Sequence, residues 1–299
     1  MPRSENQLQL PIFSDYPSTQ AIVNVASVPQ RSPFRYPGGK TWLVPIIRQW
    51  FSSLSFKPEL FLEPFAGGAI VGLTAAFENL ADKIVLVELD DQIAAVWRAI
   101  LGKDAEWLAQ RILSFDLTIE NVQKELNNKP ATINEKAFQT ILKNRTFHGG
   151  ILAPGSGFIK YGENGNGIRS RWYPETLANR IRKIEKIKDR ITFIEGNGLE
   201  AIQTYSSFNK SAMFIDPPYT AAGKKAGTRL YSYYQLDHDK LFRLAAKAKG
   251  PVLLTYDNDP EIENLAIRHG FKFHPIAMKN THHAKMMELL ISRDLCWLV

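Results

Sequence analysis

The chain has 299 residues and one cysteine, Cys296. A lone thiol makes no internal disulfide and no cysteine-rich zinc cluster. No apolar run approaches the ~18 residues that read as a membrane span, so no membrane partner is expected. Met1 to Gln30 is rich in Gln, Ser and Pro and lacks the apolar core of a secretory signal. Residues 1–32 therefore read as a mobile tail, and a cytoplasmic location is expected. Two nucleotide-binding signatures are also missing. Gly39-Lys40-Thr41 has Phe34 where a P-loop needs its first glycine, and no G-x-G-x-x-G follows a strand. Adjacent His282 and His283 have no companion ligands at metal spacing, so no metal is expected.

What the chain does have is ordinary globular composition, 44% hydrophobic and 22% charged, with a formal charge of +7. The charge is uneven. Residues 129–190 hold 13 Lys/Arg against 5 Asp/Glu, so the remainder is near neutral. A basic segment inside a neutral body is the footprint of a nucleic-acid partner. The alternative is a solvated helix face, which would account for Arg180 to Arg190 taken alone.

The pattern of apolar runs is a βα rhythm. Leu60 to Glu63 reads as a strand, followed by the glycine-bearing turn Pro64-Phe65-Ala66-Gly67-Gly68-Ala69 and a helix from Ile70. Glycines between strand and helix let a ligand approach the backbone. Lys83 to Val87 is a second strand ending at Glu88, an acid placed to meet ribose hydroxyls. The rhythm breaks from about Lys103 to Arg190. Three helical patterns there lead to a Gly-rich irregular stretch beginning at Asn144-Arg145, with Lys160, Arg169, Arg171 and Trp172 inside it. Cations interleaved with Phe147, Phe158, Tyr161, Trp172 and Tyr173 can neutralise phosphates and stack on bases. Packing is the alternative for each ring, preferred for Phe158 and Tyr173.

The rhythm resumes at Ile191, and Ala212 to Ile215 is a buried strand delivering Asp216-Pro217-Pro218-Tyr219. The prolines stop the strand and stiffen the backbone just beyond it. A carboxylate, a rigid carbonyl and a ring at the mouth of a parallel sheet suit a flat base held by its exocyclic amine. A polar loop to Tyr234, with Lys224, Lys225 and Arg229, reads as a functional lid. Further strands end in a hairpin around residues 279–285. The expected fold is an open, mostly parallel α/β sheet with its ligands outside the carboxyl ends of the strands.

Four segments together resemble the Dam-type DNA adenine-N6 methyltransferases. They are Tyr36-Pro37-Gly38-Gly39-Lys40, Glu63-Pro64-Phe65-Ala66-Gly67-Gly68, Asn144-Arg145-Thr146-Phe147-His148-Gly149 and Asp216-Pro217-Pro218-Tyr219. The resemblance spans roughly residues 33–293. It implies a Rossmann-like, S-adenosylmethionine-dependent methyltransferase sheet formed by residues 33–102 and 191–299. It also implies a mainly helical target-recognition insert over residues 103–190. Tyr36, Lys40, Pro64, Phe65, Gly67, Glu88, Asn197 and Asp216 would bind S-adenosylmethionine, with Lys40 near its carboxylate. Asp216, Pro217, Pro218 and Tyr219 would hold the target adenine, flipped out of duplex DNA. Asn144, Arg145, Lys160, Arg169, Arg171, Lys224, Lys225 and Arg229 would meet the DNA. A cognate restriction endonuclease is a candidate partner, and a monomer is expected of a family acting on one strand at a time.

Two positions depart from the family. Ala69 stands where glycine is frequent, which is tolerable at negative φ and costs cofactor affinity otherwise. Asn197 stands where aspartate is frequent. Two alternatives stay open: an RNA or protein methyltransferase, and a non-enzymatic DNA-binding protein on a methyltransferase scaffold.

Overall fold

The computed structural model describes residues 25–35, 38–218, 236–279 and 285–298. Seven strands form one sheet: β1 (Leu60–Glu63), β2 (Lys83–Glu88), β3 (Ile191–Glu195), β4 (Ser211–Ile215), β5 (Val252–Asp257), β6 (Lys272–Lys279) and β7 (Lys285–Ser292). Their order is β3-β2-β1-β4-β5-β7-β6. The first five are mutually parallel, and β7 is antiparallel to both β5 and β6. This is the expected mixed α/β, Rossmann-like sheet.

Side chains alternate along each strand with period two. Phe61, Ile84, Leu86 and Phe214 face one side, while Leu62, Val85, Val87 and Ile215 face the other. Both faces are covered, which is why these strands read as continuous apolar runs rather than alternating ones. On the first face lie α1 (Val44–Ser53), α2 (Ile70–Phe77) and α3 (Asp91–Leu101), through Ile47, Val71 and Val96. On the second lie α8 (Gly198–Tyr205), α9 (His238–Ala245) and α10 (Pro260–Arg268), through Ile202, Phe242 and Ile262.

Between α3 and β3 come α4 (Ala105–Ser114), α5 (Ile119–Asn127), α6 (Ile133–Thr146) and α7 (Pro174–Glu185). α6 packs along α3, and α7 along α4. Buried Leu108, Phe138, Ile141 and Ile181 join the same apolar cluster as Phe61 and Ile84. The helical segment is thus rooted in the core of the sheet. Local chemistry sets its boundaries. Thr132 and Glu135 form a reciprocal capping box at the start of α6, and Pro174 opens α7 at its first position. α6 runs on to Thr146, so Asn144 and Arg145 occupy its last turn rather than opening an irregular stretch.

The strand order reverses between β1 and β4, because the chain builds outward from β1 to β3 and then returns to the other side. Ligands in open α/β sheets bind outside the carboxyl ends of the strands at such a reversal. Here each parallel strand ends at, or hands over to, a carboxylate: Glu63, Glu88, Glu195, Asp216 and Asp257.

Candidate functional site

A cleft of about 1480 Å³ opens over the β1–β4 reversal, wider than the ~300–1,000 Å³ of a typical small-ligand pocket. Its floor is the turn between β1 and α2. Gly67 has φ 46° and Ala69 φ 49°, both left-handed. The sequence left the sign of φ at Ala69 open; the structure gives the unfavourable one, which costs about 1–2 kcal/mol for a residue with a Cβ. The turn is pinned from several sides. Ala66 N–H donates to the Val87 carbonyl at 2.9 Å, and the Trp97 indole N–H donates to the Gly67 carbonyl at 2.9 Å. Gly67 N–H donates to Glu88 Oε2 at 2.7 Å.

Glu88 also accepts from the N–H groups of Leu89 and Asp90, at 2.8 and 2.9 Å. Burial raises its carboxyl to about 7 against the pull of these three donors. Asp90 caps α3 by accepting from Gln92 N–H, so of the acids after β2 one orients the turn and the next starts the helix. Glu63 is buried and accepts from Gly72 N–H at 2.7 Å, and burial raises it well above the usual carboxylate range. A Cβ on Gly72 would meet Glu63 Oε2 at 2.6 Å, which explains a glycine inside α2.

Asn197 caps α8 by accepting from Leu199 N–H at 2.8 Å. The adjacent Gly198 presses on the first turn: a Cβ there would stand 2.3 Å from the Pro64 carbonyl and 2.8 Å from the Phe65 ring. Pro64, Phe65, Glu88 and Asn197 thus line one side of the cleft together.

Asp216 sits at the centre. Its Oδ1 is 2.9 Å from Lys40 Nζ and accepts from Thr255 Oγ1 at 2.8 Å. The Lys40 side chain is 3% exposed; its ammonium also donates to the Gly38 carbonyl at 2.8 Å and lies 3.5 Å from Glu288 Oε2. Lys40, expected beside a ligand carboxylate, is therefore held by two carboxylates of the protein itself. Thr255 and Glu288 are the two members of this group that no sequence motif marks. The available signal was a lone polar residue inside an apolar strand run, as in Met287-Glu288-Leu289.

The insert supplies the opposite wall. Lys160, Arg171, Arg180 and Tyr161 line it, and Tyr161 is 82% exposed. Lys160 and Arg169 are exposed. Asn144 and Arg145, expected at the DNA, are buried instead, at 1% and 4% exposure. Asn144 exchanges hydrogen bonds with the backbone of Arg35, both at 2.9 Å, and donates to the Gly150 carbonyl at 2.8 Å. Arg145 donates to the Pro33 carbonyl, and Arg180 to that of Ser32 at 3.0 Å. Burial, then Arg180, Arg35 and Arg171, lower Arg145 to about 9. The pair therefore sews residues 32–35 to the insert. Of the rings, Phe147 and Phe158 pack edge to face at 5.0 Å, and Trp172 packs on Phe115. Tyr173, expected to pack, is 49% exposed. Tyr36, Tyr219, Lys224, Lys225, Arg229, His282 and His283 lie outside the described residues. Among those described, no group of three His, Cys, Asp or Glu is placed to hold a metal, and no helix is long and apolar enough to cross a membrane.

A family model described as D12 class N6 adenine-specific DNA methyltransferase matches residues 36–279. No curated protein sequence matches the chain. Among solved structures, an rRNA methyltransferase from Streptomyces viridochromogenes is similar at 13% identity, covering 86% of this chain and 86% of its own, with TM-score 0.39. Precorrin-6y C5,15-methyltransferase from Geobacter metallireducens is similar at 10% identity, covering 83% and 87%, with TM-score 0.33.

Proposed function

The chain belongs to the D12 class of N6 adenine-specific DNA methyltransferases, and from that premise we propose its reaction. It transfers a methyl group from S-adenosylmethionine to the exocyclic N6 of an adenine flipped out of a specific duplex DNA sequence. The observation that carries this reading is Asp216. It stands at the strand-order reversal with one oxygen engaged by Lys40 and Thr255, in a cleft walled by carboxylates on one side and cations on the other.

The residues present fit the methyl donor. Gly198 leaves no room for a side chain against Pro64 and Phe65, and the Gly67 amide is locked on Glu88. Glu88 Oε2 accepts one backbone N–H, and a carboxylate oxygen accepts two donors, so a ribose hydroxyl is a suitable second. Pro64, Phe65, Gly67 and Asn197 would enclose the rest. When bound, S-adenosylmethionine supplies an electrophilic methyl whose C–S bond breaks with the electron pair left on sulfur.

Adenine N6 is a poor nucleophile because its lone pair is delocalised into the ring. Asp216 and the Pro217 carbonyl would each accept one of its N–H groups and localise that pair on nitrogen, while Pro218 fixes the backbone between them and Tyr219. After the N–C bond forms, one N–H proton leaves toward Asp216 and then water. Most of the acceleration comes from orientation. Extruding the base costs on the order of a few kcal/mol, which phosphate contacts by Lys160, Arg169 and Arg171 offset. The test is incubation with labelled S-adenosylmethionine and mixed-sequence duplex DNA, then nucleoside analysis. N6-methyladenine is the expected product. Label confined to RNA or protein, or label nowhere, overturns the reading.

A further inference from the structure

Glu288 is a charged residue inside an apolar strand run and is 5% exposed. It belongs to no motif of the sequence. The antiparallel insertion of β7 between β5 and β6 brings it to the level where β5 ends. Its register partners are Asp257 on β5 and Ile276 on β6. Two acids opposite one another across strands repel. What offsets this is Lys40, 3.5 Å from Glu288 Oε2 and 2.9 Å from Asp216 Oδ1. Among the described residues, the charged groups acting on Glu288 are Lys40 at the start of the helical segment 40–53, Asp216 after β4 and Asp257 on β5. Asp216 acts in turn on Glu63 at the end of β1 and on the buried phenol Tyr256.

Building on the proposed amine methylation, we infer that Glu288 is a positioning residue: by sharing the Lys40 ammonium with Asp216, it keeps Asp216 a strong acceptor for the substrate N–H. With Glu288 ionised, one ammonium serves two carboxylates and the trio carries one net negative charge. With Glu288 neutral, Lys40 and Asp216 cancel. The substrate nitrogen gains positive charge as its bond to the methyl forms, and then gives up a proton. A net negative trio favours that charged nitrogen over the neutral amine, so the effect falls on kcat rather than on binding. Burial raises Glu288 to about 7, so the trio changes charge near neutral pH.

The test has two readouts. The first is the pH profile of kcat for wild type and Glu288→Gln, with KM for S-adenosylmethionine and Tm alongside. Wild-type kcat rises across about pH 6 to 8 as Glu288 ionises. Glu288→Gln loses that rise and sits about tenfold below wild type at the upper end, with KM within about twofold. Glu288→Asp recovers part of the rise. The second is a carboxyl-carbon NMR titration of the ligand-free wild type, in which the Asp216 signal moves at the pH where Glu288 ionises. A flat wild-type profile, a Glu288→Gln enzyme with wild-type kcat, or an Asp216 signal indifferent to Glu288 overturns the inference. Where Glu288→Gln does not fold, the NMR titration alone decides. A wild type that methylates no DNA yet shows the coupled titration refutes the substrate reading and supports the Glu288–Lys40–Asp216 coupling.

Discussion

The two walls of the cleft hold their charge in different ways. On the sheet side, acids stand at the ends of hydrogen-bonded strands and are satisfied within the protein. Glu88 takes three backbone amides, Glu63 takes one, and Asp216 and Glu288 share Lys40. On the insert side, Arg145 and Arg180 donate to backbone carbonyls of residues 33 and 32, and Lys160 and Arg169 face solvent. A charge fixed by several local partners keeps one geometry, which is what chemistry on a single atom requires. Exposed cations on long stems adapt to a polyanion and give affinity in proportion to salt. In the proposed reaction the sheet wall would carry the chemistry and the insert wall the DNA contacts.

The largest expected separation between the walls comes from Asp216→Ala. Methyl transfer falls below about a tenth of wild type, a barrier increase above roughly 1.4 kcal/mol, while DNA affinity in a gel-shift titration stays put. Retention of more than that tenth would remove Asp216 from the chemistry. Asn144→Ala attacks the seam behind the insert wall. It leaves the Arg35 backbone and the Gly150 carbonyl without their buried partner, so chemical denaturation should register a loss of about 1–3 kcal/mol. A loss of DNA affinity at unchanged stability would return Asn144 to the DNA surface.

Ala69→Gly tests the strain on the sheet wall. Relief of about 1–2 kcal/mol at positive φ is opposed by the ~0.5–1 kcal/mol of backbone entropy that glycine loses. A net gain of up to about 1.5 kcal/mol is expected, read as a higher midpoint in urea or tighter S-adenosylmethionine binding by calorimetry; a loss in both would mean that Ala69 is unstrained. Arg169→Ala, on the exposed surface of the insert, lowers the slope of log K against log salt by about one. It leaves kcat at saturating DNA unchanged. The same slope with a reduced kcat would break the division of labour.

A pH effect sharpens the comparison last. Glu288 has a folded-state value raised to about 7 from an ordinary 4.5. Its contribution to stability is therefore full below the unfolded value and lost as pH rises through about 7. Glu288→Gln has no such loss, so its stability relative to wild type should increase between about pH 5 and 8, as measured by Tm at matched ionic strength. A parallel pair of Tm curves would contradict the burial argument.

Much of the sheet wall was legible in advance because its residues sit at strand ends, and strand ends follow from apolar runs and turn residues. Glu63, Glu88 and Asp216 fall where a four-to-six-residue strand stops. A lone acid in an apolar run marks Glu288, but its place beside Lys40 depends on β7 slotting antiparallel beside β5, a register that no local pattern encodes. Asn144 and Arg145 looked like surface groups because they are polar and neighbour a glycine-rich stretch. They are buried because residues 32–35, far away in sequence, cross over the end of α6. The left-handed φ of Ala69 follows from the turn closing between Ala66 and α2, where Ala69 N–H returns to the Ala66 carbonyl. Composition is silent on such a closure.

The most direct test of the division between the walls is single-turnover methyl transfer from labelled S-adenosylmethionine to duplex DNA across a salt series, each point at saturating DNA. The account predicts N6-methyladenine formed at a rate nearly constant with salt, while the apparent Kd for DNA rises steeply. A rate that falls in step with affinity, or label on a different nucleoside, would contradict it.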